Sequence, residues 1–193
     1  MKRIDLFVLA VILTFPLTGV MAQMQSSDKK EPVTVKHVDL QRYLGTWYEI
    51  AKIPNFFQKN CARNTTATYR LEKNGEIEVI NRCVGNDGKV NVAKGIAKVV
   101  DPESNAKLKV SFVSILGIHL FWGNYWILGL DKNYKYAVVG EPSRKYGWIL
   151  SRTPALTPSE RSAVDEILLK QGYNPSEFVQ TEQTADTLQS AGK

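Results

Sequence analysis

Between Thr46 and Arg152 the chain is cut into eight short runs of strand-forming residues, each bounded by turn residues. The runs are Thr46–Ile53, Thr65–Lys73, Glu76–Cys83, Lys89–Val99, Ala106–Val113, Asn124–Leu130, Tyr136–Glu141 and Gly147–Arg152. Successive side chains of a strand point to opposite faces, so a run that is apolar at every second position builds a sheet with one buried face. Ala67, Tyr69 and Leu71 alternate in this way with Thr66, Thr68 and Arg70, and Leu108, Val110 and Phe112 alternate with Lys107, Lys109 and Ser111. Many short strands of this kind predict an all-β sandwich or barrel. Asn74-Gly75 is a strong hairpin signal, because both turn positions must accept positive φ. Consecutive hairpin-like connections favour an eight-stranded antiparallel up-and-down barrel over a two-sheet sandwich.

A helix follows the last run. Thr157-Pro158-Ser159-Glu160 offers an N-cap Thr, Pro at the first helical position and a capping-box Glu. Val164, Ile167 and Leu168 then share one apolar face, and Gly172 is placed to end the helix. The expected fold class is all-β, the barrel carrying one C-terminal α-helix packed on its outside. A short ninth strand is expected around Phe178–Gln180.

The ends of the chain read differently. Lys2 and Arg3 precede an apolar run from Leu6 to Val20, and Val20-Met21-Ala22 has small residues at the −3 and −1 positions of a cleavage site. Residues 1–22 therefore read as a secretory signal peptide; as a membrane span the run is short and broken by Pro16. Residues 23–37 are polar and read as a flexible arm, 38–182 as the barrel and helix, and 183–193 as a disordered tail. The expected address is the periplasm or cell envelope, with secretion as the alternative. No Cys stands at the cleavage point, which argues against a lipid anchor in an outer membrane.

Removing Lys2, Arg3 and Asp5 from the 25 basic and 19 acidic residues leaves 23 and 18, a net charge of +5. With no dense Lys/Arg run this does not favour nucleic acid, and it suits weak attraction to anionic lipid or ligand head groups. The two cysteines, Cys61 and Cys83, are expected to form one disulfide in an oxidising compartment; a reactive thiol is the alternative. Asn64-Thr65-Thr66 is a glycosylation sequon, read here as incidental. His37 and His119 are the two histidines, and no motif pairs either with a nucleophile or a metal-ligand set. No cofactor, metal or catalytic residue is expected. Glu49, if it faces inward, is expected to satisfy a polar neighbour in the wall.

Three motifs carry a family resemblance. Leu44-Gly45-Thr46-Trp47-Tyr48-Glu49-Ile50-Ala51, Asp131-Lys132-Asn133-Tyr134 and Trp148-Ile149-Leu150-Ser151-Arg152-Thr153-Pro154 resemble the three signatures of the lipocalins, although Leu130 stands where the second signature usually has Thr. The chain resembles the bacterial and apolipoprotein D-like members of that family from about Val38 to Gln180. The resemblance implies structural roles for Gly45, Trp47 and Arg152, with Trp47 closing one end of the barrel and Arg152 lying across its indole. It also implies a small hydrophobic ligand, such as a fatty acid or lysophospholipid, and a role in envelope maintenance. Some lipocalins are isomerases using a pocket Cys, so Cys61 as a thiol would mark an enzyme. A barrel filled by its own side chains, acting as an interaction protein, is the third possibility.

If Trp47 starts at the closed end, the loops 54–64, 84–88, 114–123 and 142–146 form the mouth, and 74–75, 101–105 and 131–135 lie at the bottom. Alternation then nominates Ala67, Tyr69, Ile77, Val79, Leu108, Val110, Phe112, Tyr125, Ile127, Trp148 and Leu150 as the ligand wall. Lys59, Arg63, Lys89, Arg144 and Lys145 fall on or beside mouth loops and are candidates to receive a head group. The segment 113–122 is too apolar for an exposed loop: it is expected to touch a membrane surface, form a homodimer or fold inward as a lid.

Overall fold

The computed structural model describes residues 30–184. The signal-peptide reading of 1–22, and most of the arm and tail, lie outside the described residues. Eight strands close into an antiparallel barrel: β1 (Gly45–Lys52), β2 (Cys61–Leu71), β3 (Ile77–Gly85), β4 (Val90–Val99), β5 (Lys107–Ser111), β8 (Gly123–Leu130), β9 (Tyr136–Gly140) and β10 (Gly147–Ser151). Neighbours in sequence pair in order, and β10 returns to β1 with Tyr48 opposite Ser151 and Lys52 opposite Trp148. The closure leaves no free edge among these staves. A short hairpin, β6 (Val113–Ile115) and β7 (Ile118–Leu120), rises from the connection between β5 and β8. The last strand, β11 (Val179–Gln180), adds to the upper part of β1.

Strand alternation separates two cores. One fills the barrel and includes Trp47, Tyr69, Ile77, Val79, Leu108, Ile127 and Leu150. The other lies outside it, where Ile50, Trp126, Leu128, Val138 and Ile149 meet Val164 and Leu168 of α2 (Pro158–Lys170). The capping box of α2 is complete: Thr157 Oγ1 accepts from Glu160 N at 3.3 Å, and the Glu160 carboxylate accepts from Thr157 N at 2.9 Å. A register shift in β8 between Ile127 and Gly129 turns Gly129 toward the helix, where Ile167 leaves no room for a Cβ.

Several elements differ from the sequence reading, each for a local reason. Strand β2 starts at Cys61, four residues earlier than alternation predicts, because two register shifts and Asn64 at φ 55° hide the period. The segment 113–122 is a hairpin whose turn, Leu116-Gly117, has both residues at positive φ, as a two-residue hairpin turn requires. The arm is tied down from Val33 onward. Val33 N donates to Gln171 Oε1 at 2.7 Å, Val35 N to Ile127 O at 2.9 Å and Val38 N to Ser104 O at 2.7 Å. At the other end, Gln183 Nε2 donates to Glu49 O and Thr65 O, and Thr184 N to Asn64 Oδ1, so the first tail residues join the wall between β1 and β2.

A helix unforeseen from the sequence, α1 (Leu40–Tyr43), plugs the closed end; Asp39 caps it by accepting from Gln41 N and Arg42 N. Arg152 holds this plug. Its guanidinium sits 3.8 Å from the Trp47 ring centre and donates to the carbonyls of Thr46, Arg42, Leu44 and Tyr43 at 2.7–3.2 Å. Three of these, on residues 42–44, are carbonyls a helix end leaves unpaired, and a cation there also opposes the negative end of the helix dipole. Trp47 Nε1 donates to Tyr43 O at 2.8 Å from the other side. Gly45 has φ +90°, which side-chain-bearing residues rarely adopt, and turns the chain from α1 into β1. Replacing Arg152 by Ala should lower unfolding stability by about 3 kcal/mol, because charge-assisted bonds and a cation–π contact are lost together. Arg152→Lys should recover less than half of that in chemical denaturation, since one ammonium cannot reach four carbonyls.

Candidate ligand-binding cavity

On β4, β5, β8 and β10 the interior faces change character with height, whereas on β2 Tyr69, Ala67 and Thr65 and on β9 Ala137 and Val139 stay buried. Near the floor, Tyr69, Ala97, Leu108, Ile127 and Leu150 are buried. One step further up, Val110, Tyr125 and Trp148 are only half-buried, and a second step up Ala93 and Phe112 are exposed. The barrel is thus filled below and, along these four strands, open above. Ala67, Ile77 and Val79 belong to the filled part, together with Ala137 and Val139, which the sequence reading left out. Phe112 stands at the rim instead of in the wall. It lies one residue beyond β5, over Gly95, and is 40% exposed.

Three tyrosines divide the two regions. Tyr43 reaches up from the plug and Tyr69 across from β2, and the hydroxyl of each lies 2.8 Å from the Tyr125 hydroxyl on β8. Burial pushes all three phenols up, Tyr69 to about 12 and the other two well above their ordinary value. All three therefore remain protonated at any physiological pH. Beside them Leu40, Leu44, Ile77, Ala97, Leu108 and Val110 complete a small cleft with room for about one water. Tyr43 was missed in the sequence because α1 was missed; Asp39 ahead of Leu40-Gln41-Arg42 was the N-cap signal available.

The mouth is aromatic. Phe57, in a single 3₁₀ turn over Phe56–Gln58, lies 5.5 Å from Tyr146 and 6.3 Å from Trp148, and those two rings stack at 6.4 Å. Gln58 fastens this turn to the barrel: its Oε1 accepts from Trp148 Nε1 at 3.0 Å, and its Nε2 donates to Glu49 at 2.7 Å. Buried Glu49 also accepts from Lys52 Nζ and Thr181 Oγ1, both at 2.6 Å. A buried carboxylate with three partners is a joint in the wall, as expected of Glu49 from the sequence.

The five basic candidates part company. Lys59 and Lys145 are exposed on mouth loops, and Arg63 is half-buried beside the bridge to Glu182. Lys89 pairs with Asp87 at 3.4 Å. Arg144 turns to α2, its Nε donating to Gln171 O at 2.7 Å at the helix end, which favours a cation there for the same reason as at α1. Cys61 and Cys83 are disulfide-bonded, joining β2 and β3 near the mouth and leaving neither as a thiol. Asn64 is buried and its side chain bonds to Thr184, so the sequon is closed to modification in the folded chain. The β6–β7 hairpin does not fold inward as a lid: Ile115, Ile118 and Phe121 are exposed, and Leu116 is 98% exposed.

Comparison with known proteins agrees with this geometry. The family model of the lipocalin-like domain matches residues 38–183. The chain is 40% identical over 161 residues to temperature-induced lipocalin-1 of Arabidopsis thaliana, covering 82% of this chain and 86% of that protein. It is 36% identical over 150 residues to the outer membrane lipoprotein Blc of Escherichia coli, covering 77% and 81%. Apolipoprotein D of Mus musculus is 36% identical over 160 residues, covering 79% and 80%. A closed eight-stranded barrel with an outer helix, a Gly-x-Trp floor clamped by Arg152 and a match along nearly the whole described fold place this chain in the lipocalin family, whose members bind small hydrophobic ligands.

Proposed function

We propose that this lipocalin binds a fatty acid or lysophospholipid, with the acyl chain in the upper barrel and the head group at the mouth. The observation that carries this reading is the rise in exposure along the inner faces of β5, β8 and β10, from buried Leu108, Ile127 and Leu150 to Val110, Tyr125 and Trp148. It leaves apolar wall that only a guest would cover. Burying about 14 methylenes would contribute roughly 11 kcal/mol at ~0.8 kcal/mol each. Ordering and lost motion would offset roughly 4 kcal/mol of it, which corresponds to micromolar binding. Lys59 and Lys145, with Arg63 behind them, would face a carboxylate or phosphate. The filled lower barrel limits the guest to the space above Tyr125.

The function is binding, not catalysis, with storage or transport of lipid in the cell envelope as its use. The names of two relatives, an outer membrane lipoprotein and an apolipoprotein, support an exported protein, as does the leader-like sequence of residues 1–22, and the second name also supports lipid handling. A second reading concerns the hairpin. Its exposed Ile115, Leu116, Ile118 and Phe121 beside the mouth, on a chain of net positive charge, suit contact with a lipid surface during exchange.

Both readings are testable. A fluorescent fatty acid should bind with micromolar affinity and be displaced by lysophospholipid, and Trp148→Ala should weaken it about tenfold. No displacement by any lipid, with tryptophan emission unchanged, would sink the first reading in favour of a filled barrel. For the second, the protein should float with vesicles containing anionic lipid, and Leu116→Glu combined with Phe121→Ser should abolish flotation while ligand affinity stays the same. Dimerisation lost in the same double variant, with no flotation of the parent protein, would instead assign the hairpin to self-association.

A further inference from the structure

The tyrosine cluster at the base of the open chamber has a hydrogen-bonding inventory that does not balance within the protein. Three phenols carry three hydrogens, and among the described residues they make two contacts, Tyr43 to Tyr125 and Tyr69 to Tyr125. One hydrogen is left over, and its place follows from burial. Tyr43 and Tyr69 are buried, with 4% and 5% of their surface exposed, and each hydroxyl has Tyr125 as its one partner. If Tyr125 donated to either, that partner would keep a buried donor with no acceptor among the described residues, which is costly. Both outer phenols therefore donate to Tyr125, which accepts twice through its two lone pairs. The spare O–H then belongs to Tyr125, the least buried of the three rings that line the cleft.

From this arrangement we infer that Tyr125 is a donor-only anchor at the chamber floor for a neutral acceptor oxygen at the far end of the ligand: a ketone, ester or ether oxygen. The inference rests on the lipid-binding reading above and names a substrate feature within it. With both lone pairs of Tyr125 occupied, the anchor offers nothing to a group that can only donate. The adjoining cleft, with room for about one water, admits an atom and not a chain. A carboxylate is excluded on charge. The other cleft residues are apolar or tyrosine, and the nearest guanidinium, Arg152, is spent on four backbone carbonyls below the plug. An amphipathic guest would thus keep its charged end at the basic mouth and set an oxygen-bearing tail on Tyr125.

The test compares a homologous series of saturated fatty acids with analogues that carry a ketone on the penultimate carbon, by competition against a fluorescent fatty acid. For the chain length that reaches the floor, Tyr125→Phe should weaken the ketone at least fivefold and leave the parent acid within about twofold, because only the ketone is left with a buried, unpaired oxygen. Tyr43→Phe should preserve the preference, since it removes a donor to Tyr125 and not the donor from it. The inference is overturned if Tyr125→Phe changes ketone and parent alike at every length, or if Tyr43→Phe abolishes the preference as well. If the parent acids bind while the ketones ignore Tyr125, only the anchor falls. If no member of the series binds the unaltered protein, the lipid-binding reading falls and the anchor with it.

Discussion

The Arg152 guanidinium joins three things that would otherwise come apart: the end of α1, the Trp47 indole and the seam between β1 and β10. A closed barrel has no edge strands, but it still has two ends, and one must be shut without burying unpaired carbonyls. Arg152 does this by giving its hydrogens to the carbonyls of residues 42, 43, 44 and 46 while its face covers Trp47. Rigid, planar and forked, a guanidinium can stack and donate at once, which an ammonium cannot. The position of α1, and with it the hydroxyl of Tyr43, depends on that clamp.

From the floor upward the barrel changes from a packed interior to an opening. Trp47, Ile77, Leu108 and Leu150 fill the lower part as any core would be filled, and the tyrosines mark where filling stops. Above them Trp148 is held by Gln58, which is held in turn by Glu49, so the aromatic mouth is anchored to the wall through one buried carboxylate. Glu49 also receives Thr181 from the C-terminal segment. The shape of the mouth is therefore set by residues far apart in sequence, from β1, the following loop, β10 and the chain end.

Much of this was legible in the residues. Period-two alternation with Asn-Gly between runs announced the strands, and Thr157-Pro158 with Glu160 announced where α2 begins. The direction of each strand placed Arg152 at the end where Trp47 lies. Where alternation failed, the backbone had departed from regular geometry. Two register shifts hid the start of β2, and a positive φ at Leu116, a residue that rarely adopts it, hid the hairpin. Helix α1 was too short to show a period at all. Arg144 was placed beside the mouth from sequence, but the unpaired carbonyl of Gln171 at the end of α2 claims it.

By itself the sequence determined the strands and their up-and-down order, because these follow from periodicity, turn chemistry and chain direction, all of which are local, and the end that closes came from the lipocalin resemblance around Trp47. It could not determine how much of the barrel is left open or what chemistry lines the opening. Those depend on side chains from separate strands meeting at the same height. Tyr43, Tyr69 and Tyr125 have nothing in common along the chain, and only closure of the barrel brings three hydroxyls together with one hydrogen to spare.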